Sequence, residues 1–319
     1  MADTYVEREC VNCGSGPDGH RTVITTTVSH NCHLRGDRIR TVACERCGLV
    51  FLNPAPTSEA VARLYRHDLY QRPKRPKTNP ARTGEAGQVT KQHLYDFLRQ
   101  AHGRLQGLAV LDIGCGNGRW LARFDASNEL HGVELSPMAK HGVEERLRIH
   151  QAEFMEFEPP GRPFDLITAT ALIEHLRDPL AALVRMNRLM QTGGCLFLYT
   201  PDVHALGLQR GSDKYFKIVH LYYFSVATLS SPLQKAGFAV QAVRRYPLVR
   251  SSLFAPDRQV VGTFALLACK QKGVGLEEAR GCPPTTGREE YVAACQAIER
   301  ARARDRLCAA LARLRRMVR

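Results

Sequence analysis

Residues 110–121 read VLDIGCGNGRWL, an apolar strand-like run followed by Gly114, Gly116 and Gly118 and then by a predicted short helix. Glycines permit a tight turn and let a ligand approach the backbone, while the start of a helix offers free amides. A nicotinamide-cofactor fingerprint needs a third glycine where Arg119 stands, and the Gly-Lys-Ser/Thr of a Walker loop is absent. The segment therefore predicts a ligand-binding turn between a strand and a helix, and weakens the dehydrogenase interpretation.

A second strand-like run ends at Glu134, twenty residues after Gly114. A carboxylate at such a strand end can accept hydrogen bonds from both ribose hydroxyls of an adenosine. Any adenosine cofactor satisfies this pattern, and a solvated strand end is the alternative interpretation of Glu134 alone. Together with the glycines, this residue predicts an adenosine-containing cofactor.

Strand-length apolar runs alternate with helical patterns from residue 92 to residue 270, as in a parallel sheet with helices on both faces. Only short connections separate the last two runs, so these two can pair antiparallel as a hairpin. The chain is predicted to have an α/β fold with seven strands, at 108–113, 130–133, 148–151, 164–168, 194–200, 238–245 and 262–269.

Five motifs in this region occur in a familiar order: VLDIGCGNG, GVELSP, FDLITATALIEHLRDP, MNRLMQTGGCLFLYTPD and HLYYFSVATLSSPLQKAGF. With them the chain resembles class I S-adenosylmethionine-dependent methyltransferases of the small-molecule type over roughly residues 92–270. The resemblance implies a Rossmann-like sheet and S-adenosylmethionine as the cofactor. The implied contacts are Gly114, Cys115 and Gly116 under the methionine part, Asp112 orienting the loop and the amino group, Glu134 at the ribose and Leu135 against adenine.

The third strand departs from the family pattern. The family often has Gly-Asp at its end for adenine recognition, whereas this chain reads HQAEF, with Gln151 in place of the usual aspartate. We therefore expect the backbone of Ala152 or the carboxylate of Glu153 to contact the adenine instead.

Two histidines are candidates for a general base. Methyl transfer from a sulfonium is an in-line displacement that needs no protein nucleophile, but a hydroxyl acceptor benefits from a base, and histidine titrates near neutral pH. His175 in LIEHLRDP belongs to a Glu-His pair that the resembling family carries as a loop-packing element. His220 in KIVHLYYFS lies in an aromatic stretch suited to an acceptor wall. Either residue, or neither, remains open as the base.

Four cysteines near the start form two knuckles, Cys10-x-x-Cys13 and Cys44-x-x-Cys47, each followed by a glycine. Four thiolates so spaced predict a closed, tetrahedral and structural zinc site. Many bacterial methyltransferases of the sugar, glycan and natural-product kind resemble this chain here, with a zinc ribbon running on as CERCGLVFLNPAPTSEAVARLY.

These features predict O-methylation of a small or sugar-like acceptor in glycan or natural-product biosynthesis. The alternatives are an RNA-modifying methyltransferase and a non-catalytic binding protein that keeps the fold. The formal net charge of +14 is concentrated in residues 71–91 and 299–319, which leaves the rest of the chain close to neutral. This distribution is more typical of solubility or partner contact than of a nucleic-acid groove.

Four regions are predicted: a zinc ribbon at 1–55, a helix and mobile basic proline-rich loop at 56–91, the methyltransferase domain at 92–272, and a linker with a basic amphipathic helix at 273–319. One stripe of that last helix consists of Leu307, Leu311, Leu314 and Val318. It needs a partner, which could be the main domain, a second subunit in a homodimer or an anionic membrane surface; the lack of Trp and Phe disfavours the membrane.

Eleven cysteines without a secretory signal favour thiols and metal ligands in a reducing compartment, so we expect a cytoplasmic protein. The sequence also lacks the roughly 18 consecutive apolar residues that a transmembrane helix requires.

Overall fold

The computed structural model describes residues 4–28, 32–64, 85–137, 139, 144–208, 215–246 and 262–317. Its α-helices in these ranges are α1 Ser58–Arg63, α2 Glu85–His102, α3 Pro179–Leu189, α4 Val226–Lys235, α5 Leu276–Gly281 and α6 Arg288–Met317. Its strands are β1 Tyr5–Val6, β2 His20–Thr27, β3 Arg38–Cys44, β4 Val50–Leu52, β5 Ala55–Pro56, β6 Ala109–Ile113, β7 Glu129–Glu134, β8 Arg148–Gln151, β9 Phe164–Thr170, β10 Met190–Pro201, β11 Tyr222–Tyr223, β12 Phe238–Tyr246 and β13 Thr263–Lys270.

Seven strands form the main sheet in the order β12-β13-β10-β9-β6-β7-β8. Strands β8, β7, β6, β9 and β10 run parallel, whereas β13 pairs antiparallel with both β10 and β12. The predicted α/β fold, the seven strands and the antiparallel final hairpin are therefore confirmed. Because the parallel strands end at one edge, the loops that follow β6, β7, β8, β9 and β10 share that edge.

Each face of the main sheet is covered. Helix α2 packs on one face through Phe97 and Leu98, and the opposite face is covered by buried side chains of α3 and α4, such as Leu183 and Leu229. Helix α2 begins at Glu85, so the loop predicted to extend to residue 91 is shorter at its end. Most of that loop lies outside the described residues.

Two cysteines depart from the expectation of free thiols. Cys195 on β10 and Cys269 on β13 are directly paired in register and form a disulfide, with their Cα atoms 4.1 Å apart. The expectation is wrong for these two residues because antiparallel pairing brings their side chains together on one face of the sheet. Cys115, Cys282, Cys295 and the four cysteines of the two knuckles are in no disulfide.

A second sheet of four strands, in the order β11-β4-β3-β2, joins the N-terminal region to the rest of the chain. Its edge strand, Tyr222–Tyr223, begins two residues after His220 and pairs antiparallel with Val50 and Phe51 of β4. The cysteine-containing region also shares one continuous hydrophobic core with the main sheet. The N-terminal region is thus packed as part of the same body, and not as an appendage.

The terminal helix α6 packs along the second sheet by its first half. Tyr291, Ala294, Ile298 and Ala301 are buried in a cluster with residues of β2, β3, β4 and β11. Leu307 is 61% exposed, and the side chains of Leu311 and Leu314, like all of Val318, lie outside the described residues. No helix within the described ranges is long and apolar enough to cross a bilayer.

Candidate functional site

The loop after β6 is built on glycines with positive φ. Gly114 has φ 71° and Gly116 has φ 59°, a conformation that other residues rarely adopt. The predicted helix after this loop is wrong, because only a three-residue 3-10 turn follows, Leu121–Arg123. The loop therefore offers its own backbone to a ligand, without the amino end of a regular α-helix.

Glu134 lies at the end of β7 and is 9% exposed. Its Oε2 accepts a hydrogen bond from the Gly116 amide at 2.9 Å, and its Oε1 accepts one from the Ser136 amide at 2.7 Å. Each carboxylate oxygen has a second lone pair for a ligand. The carboxylate therefore fixes the glycine loop in place, and its edge faces the adjacent cavity.

Asp112 is buried beneath the loop, away from the cavity wall. Its Oδ1 accepts a hydrogen bond from the Thr168 hydroxyl at 2.7 Å, and Trp120 Nε1 donates to that hydroxyl at 3.2 Å. Burial raises the pKa of Asp112 to about 7. Through Thr168, Asp112 is linked to Trp120 just after the glycine loop. Its role toward the loop and the cofactor's amino group stays a prediction.

The Cys115 side chain is buried on the face of the main sheet that α2 covers. Its sulfur lies against Gly132, where an added Cβ would be only 2.5 Å from it. Burial raises the pKa of this thiol. Of the three loop residues predicted to lie under the methionine part, Gly114 lines the cavity, whereas Cys115 and Gly116 do not.

A cavity of about 760 Å³ opens at the carboxyl edge of the main sheet. We call the wall formed by residues 113–155 the sheet-edge half; it includes Gly114, Glu134, Leu135, Ala152 and Glu153. We call the remaining wall the loop half; it includes Ser58, Val61, Ala62, Leu172, His175, Leu176, Arg177, Lys217 and Val219.

The two residues expected to contact adenine, Ala152 and Glu153, differ in whether their polar groups are already hydrogen-bonded within the protein. The amide of Ala152 donates to the Glu134 carbonyl at 3.1 Å, so it is already engaged. Glu153 is exposed and lines the cavity, as do Met155 and Leu135. The structure therefore leaves the Glu153 carboxylate as the available polar group of this pair.

The two candidate histidines lie side by side. Their ring centroids are 4.9 Å apart in an edge-to-face arrangement, and His175 lines the cavity. His175 Nδ1 is 2.7 Å from the Val219 carbonyl oxygen. Ligand-capable atoms of Glu174, His175 and His220 all lie within 4.8 Å of one another. Both histidines were candidates from the sequence, and in the structure they contact each other.

Glu174, the acid of the Glu-His pair, is a further candidate residue of this site that the sequence analysis did not predict. It is 2% exposed, and burial raises the pKa of its carboxyl group. One of its oxygens accepts a hydrogen bond from Thr200 at 3.0 Å, and the other is 3.7 Å from His175 Nε2. A buried acid followed directly by a histidine at a strand end is the signal that could have identified it.

The loop half contains further residues that the sequence did not indicate. Ala171 has φ 54°, a strained value for a residue other than glycine, and it lines the cavity beside Leu172. Arg177 and Lys217 add two positive charges, and neither has a carboxylate partner among the described residues. Lys217 comes from a different loop from Ala171 and Arg177, so its proximity to them depends on the fold.

The four N-terminal cysteines converge as predicted. The sulfurs of Cys10 and Cys47 are 3.5 Å apart, those of Cys13 and Cys44 are 3.4 Å apart, and all four lie within 4.8 Å of one another. Sulfurs bound at about 2.3 Å around one tetrahedral zinc ion lie roughly 3.8 Å apart, so the cluster fits a metal. The glycine after the second knuckle, Gly48, has φ 78° and lies against α6 near Tyr291.

The class of the protein follows from this architecture. Its sheet order, the antiparallel seventh strand, the glycine loop after the first strand and the acid after the second are those of class I S-adenosylmethionine-dependent methyltransferases. A family model described as a methyltransferase domain matches residues 69–243, more than half of the chain. The chain belongs to this family of S-adenosylmethionine-dependent methyltransferases.

Curated relatives include the ubiquinone biosynthesis O-methyltransferase of Xanthomonas euvesicatoria pv. vesicatoria, 30% identical over 161 residues, 44% of this chain and 66% of that protein. The enzyme of the same name from Methylococcus capsulatus is 30% identical over 128 residues, 36% of this chain and 54% of that protein. The chain thus spans less than two thirds of the length of these relatives.

Solved structures of methyltransferases are similar to this chain at low sequence identity. A methyltransferase from Mesorhizobium loti has a TM-score of 0.43 and 17% identity, covering 55% of this chain and 97% of that one. Magnesium protoporphyrin IX methyltransferase from Synechocystis has a TM-score of 0.44 and 19% identity, covering 58% of this chain and 84% of that one.

Proposed function

We propose that the protein transfers the methyl group of S-adenosylmethionine to a hydroxyl oxygen of a small or sugar-like acceptor, with the His175–His220 pair supplying the base. The observation that carries this proposal is that His175 lines the loop half of the cavity, opposite a sheet edge of the methyltransferase type, while His220 packs against the His175 ring. The acceptor oxygen forms a bond to the methyl carbon, the carbon–sulfur bond breaks, and S-adenosylhomocysteine leaves.

In this proposal the sheet-edge half holds the cofactor. Glu134 accepts hydrogen bonds from the ribose, Gly114 lies under the methionine part, Leu135 packs against adenine, and Glu153 meets its polar edge. Asp112 holds the loop from below through Thr168. The support is that the first four of these residues line one continuous wall.

His175 is the residue of the pair that contacts the acceptor. If its Nδ1–H donates to the Val219 carbonyl, the 2.7 Å contact fixes the tautomer that leaves the lone pair on Nε2. The acceptor hydroxyl proton then passes to Nε2 as the oxygen attacks. His220, whose ring meets His175 edge-on, holds that ring in place or takes over the proton.

The acceptor is proposed to have an anionic group. Arg177 and Lys217 both line the loop half, while Asp178 on the same wall is already paired with Arg280 at 3.0 Å. The Lys217 backbone is held on both sides by the buried Tyr223 hydroxyl, at 3.0 Å and 3.2 Å. Two cations left without acidic partners among the described residues favour a phosphate or carboxylate on the acceptor.

The four-cysteine cluster is proposed to bind one structural zinc ion. Its ligands are Cys10, Cys13, Cys44 and Cys47, and all four are thiolates in the metal-bound form. No sulfur of the cluster lines the cavity, so the metal supports the fold and takes no part in methyl transfer.

Single-turnover rates of His175→Ala and His220→Ala, with His93→Ala on the exposed face of α2 as the control, test the proposed base. The assay presents hydroxyl compounds, both phenols and sugar phosphates, to the enzyme loaded with labelled S-adenosylmethionine. We expect a loss of about a hundredfold or more in rate for the residue that removes the proton, with cofactor affinity nearly unchanged.

The wild-type rate should also fall on acidification, because only a neutral imidazole accepts a proton. If both histidine variants turn over like His93→Ala, the pair is not the base. Transfer to nitrogen or carbon compounds only would contradict the hydroxyl acceptor.

A further inference from the structure

Arg8 lies where the N-terminal region meets the two loops that carry the histidine pair. It belongs to the segment just before the first cysteine knuckle, and its side chain does not line the cavity. Its partners are backbone carbonyls on three separate segments: Leu52 at the end of β4, Arg177 after the first histidine, and Leu221 after the second.

The guanidinium group uses all of its nitrogens in this contact. Nε and Nη2 donate to the Leu52 carbonyl at 3.3 Å and 3.1 Å, and Nη2 also donates to the Leu221 carbonyl at 3.1 Å. Nη1 donates to the Tyr222 hydroxyl at 3.0 Å and to the Arg177 carbonyl at 3.4 Å. The Tyr222 hydroxyl in turn donates to the Arg177 carbonyl at 2.9 Å.

The arginine is itself held firmly. Its guanidinium carbon lies 4.6 Å from the centroid of the Tyr222 ring and 5.5 Å from that of Phe51. Its backbone amide donates to Asn53 Oδ1 at 3.0 Å, and Asn53 Nδ2 donates back to the Arg8 carbonyl at 3.3 Å. Burial lowers the pKa of Arg8, but an arginine in a protein keeps its charge.

The two loops that Arg8 joins also contact each other at the histidines. The Leu221 amide donates to the Glu174 carbonyl at 2.9 Å, and His175 Nδ1 contacts the Val219 carbonyl at 2.7 Å. Arg8 thus completes a chain of contacts that sets the separation and the orientation of the two rings. A shift of about 1 Å in a catalytic group can slow a reaction by roughly a hundredfold.

We propose that Arg8 is a positioning residue for methyl transfer, through which the N-terminal region aligns His175 and His220 on the acceptor. The inference rests on the proposed function of that pair. It gives the cysteine-containing region a role in the reaction beyond stability. Arg8 donates to the end of strand Val50–Leu52, and the same strand pairs with Tyr222–Tyr223.

The decisive variant is Arg8→Lys, because lysine keeps the charge and the aliphatic stem but lacks the planar fork that reaches three carbonyls at once. Tyr222→Phe is a second, gentler perturbation of the same contact, since it removes only the hydroxyl that joins Nη1 to the Arg177 carbonyl. Arg40→Lys is the matched control, because Arg40 lies in β3 of the same region and its guanidinium group pairs with the exposed Glu7 at 3.0 Å.

We expect Arg8→Lys to lower kcat by about ten- to a hundredfold, and Tyr222→Phe to lower it less, while the dissociation constant of S-adenosylhomocysteine stays within about twofold for both. Arg40→Lys should match wild type. The pH profile of kcat should shift in the Arg8 variant, because the histidines have lost their fixed surroundings.

Nuclear magnetic resonance of histidine ring nitrogens supplies a readout that does not depend on turnover. The titration midpoints of the His175 and His220 signals, assigned from the alanine variants, should move in Arg8→Lys and stay unchanged in Arg40→Lys. If the two arginine variants give the same midpoints and the same kcat, Arg8 is not a positioning residue. If midpoints move as expected but neither histidine variant slows turnover, Arg8 aligns the rings and the proposed base is the part that fails.

Discussion

The two halves of the cavity differ in how they are made. The sheet-edge half comes from one short stretch, residues 113–155, in which each contributing loop follows its own strand. The loop half combines residues 171–182 and 217–219, which follow β9 and β10, with residues 58–62 of the N-terminal region, whose β4 pairs with β11. The first half is therefore a property of local sequence, and the second is a property of the whole fold.

Removing the metal from the cysteine cluster tests this difference most strongly. We expect purified protein to contain one zinc ion per chain, and Cys47→Ser to lose it and most of its thermal stability. Metal binding to such a site contributes on the order of 10 kcal/mol. Turnover should disappear, because β4 and β11 form one sheet with the cysteine-bearing β3, whereas cofactor affinity of the remaining folded protein should fall far less.

Metal analysis, thermal unfolding and calorimetry with S-adenosylhomocysteine check this expectation. Cys282→Ser, a half-exposed thiol on the linker after α5, is the control and should behave as wild type. Well-folded protein without zinc would refute the proposed metal site. Equal losses of turnover and of cofactor affinity in Cys47→Ser would refute the difference between the two halves of the cavity.

The same contrast explains what the sequence could and could not predict. Strand periodicity and glycine spacing gave all seven main strands, the loop at Gly114 and the acid at Glu134, because these features depend on neighbours in the chain. The contacts of Arg8 with the Arg177 and Leu221 carbonyls, and the pairing of Tyr222–Tyr223 with β4, join residues more than a hundred positions apart. The proximity of the cations Arg177 and Lys217 likewise depends on the tertiary fold. No periodicity or spacing in the sequence encodes them.

A cysteine pattern showed the same limit. The CxxC knuckles at Cys10 and Cys44 were recognisable, since metal ligands must be spaced in this way. The Cys195–Cys269 disulfide was not, because it depends on the register of two strands 74 residues apart. Helix α6 was predicted, but its contact with Gly48 of the second knuckle was not.

On the sheet-edge half, Glu134→Ala should weaken S-adenosylmethionine and S-adenosylhomocysteine alike. The variant loses charge-assisted hydrogen bonds to the ribose and also the bond that fixes the Gly116 amide. A loss of about 1.5–3 kcal/mol corresponds to roughly ten- to a hundredfold in affinity. Calorimetry measures it, with Glu156→Ala in the exposed loop after β8 as the control.

The KM for the acceptor should hardly change at saturating cofactor in Glu134→Ala, because the residue belongs to the other half. Binding of NADH by the wild type in place of S-adenosylmethionine would contradict the cofactor assignment altogether.

On the loop half, Lys217→Gln should raise the KM for acceptors with a phosphate or carboxylate by about tenfold and leave neutral acceptors unaffected. Loss of one charge-assisted hydrogen bond contributes an effect of this size. Steady-state kinetics with matched charged and neutral hydroxyl compounds measure it. Lys272→Gln is the control, because the Lys272 ammonium group pairs with Glu278 on the surface, outside the cavity wall. An equal effect on both acceptor classes would show that Lys217 only shapes the wall.

The smallest expected effect concerns Asp112, which supports the sheet-edge half from inside the core. Its pKa is raised to about 7 by burial, so the folded state holds a proton that the unfolded state has released above its ordinary value near 4. Stability from this group is therefore full below about pH 4 and is lost as pH rises through 7. Asp112→Asn removes the titration but keeps an oxygen to accept the Thr168 hydroxyl proton.

We thus expect the Tm of Asp112→Asn, relative to wild type, to rise by a few degrees between pH 5.5 and pH 8.5, since about 1 kcal/mol shifts Tm by roughly 2–4 °C in a chain of this size. Asp96→Asn on helix α2 should show no such trend. A difference in Tm that is constant with pH would mean that Asp112 does not titrate in this range. If the variant also binds S-adenosylhomocysteine as tightly as wild type, Asp112 acts only beneath the loop; a tenfold loss would instead restore its predicted contact with the cofactor's amino group.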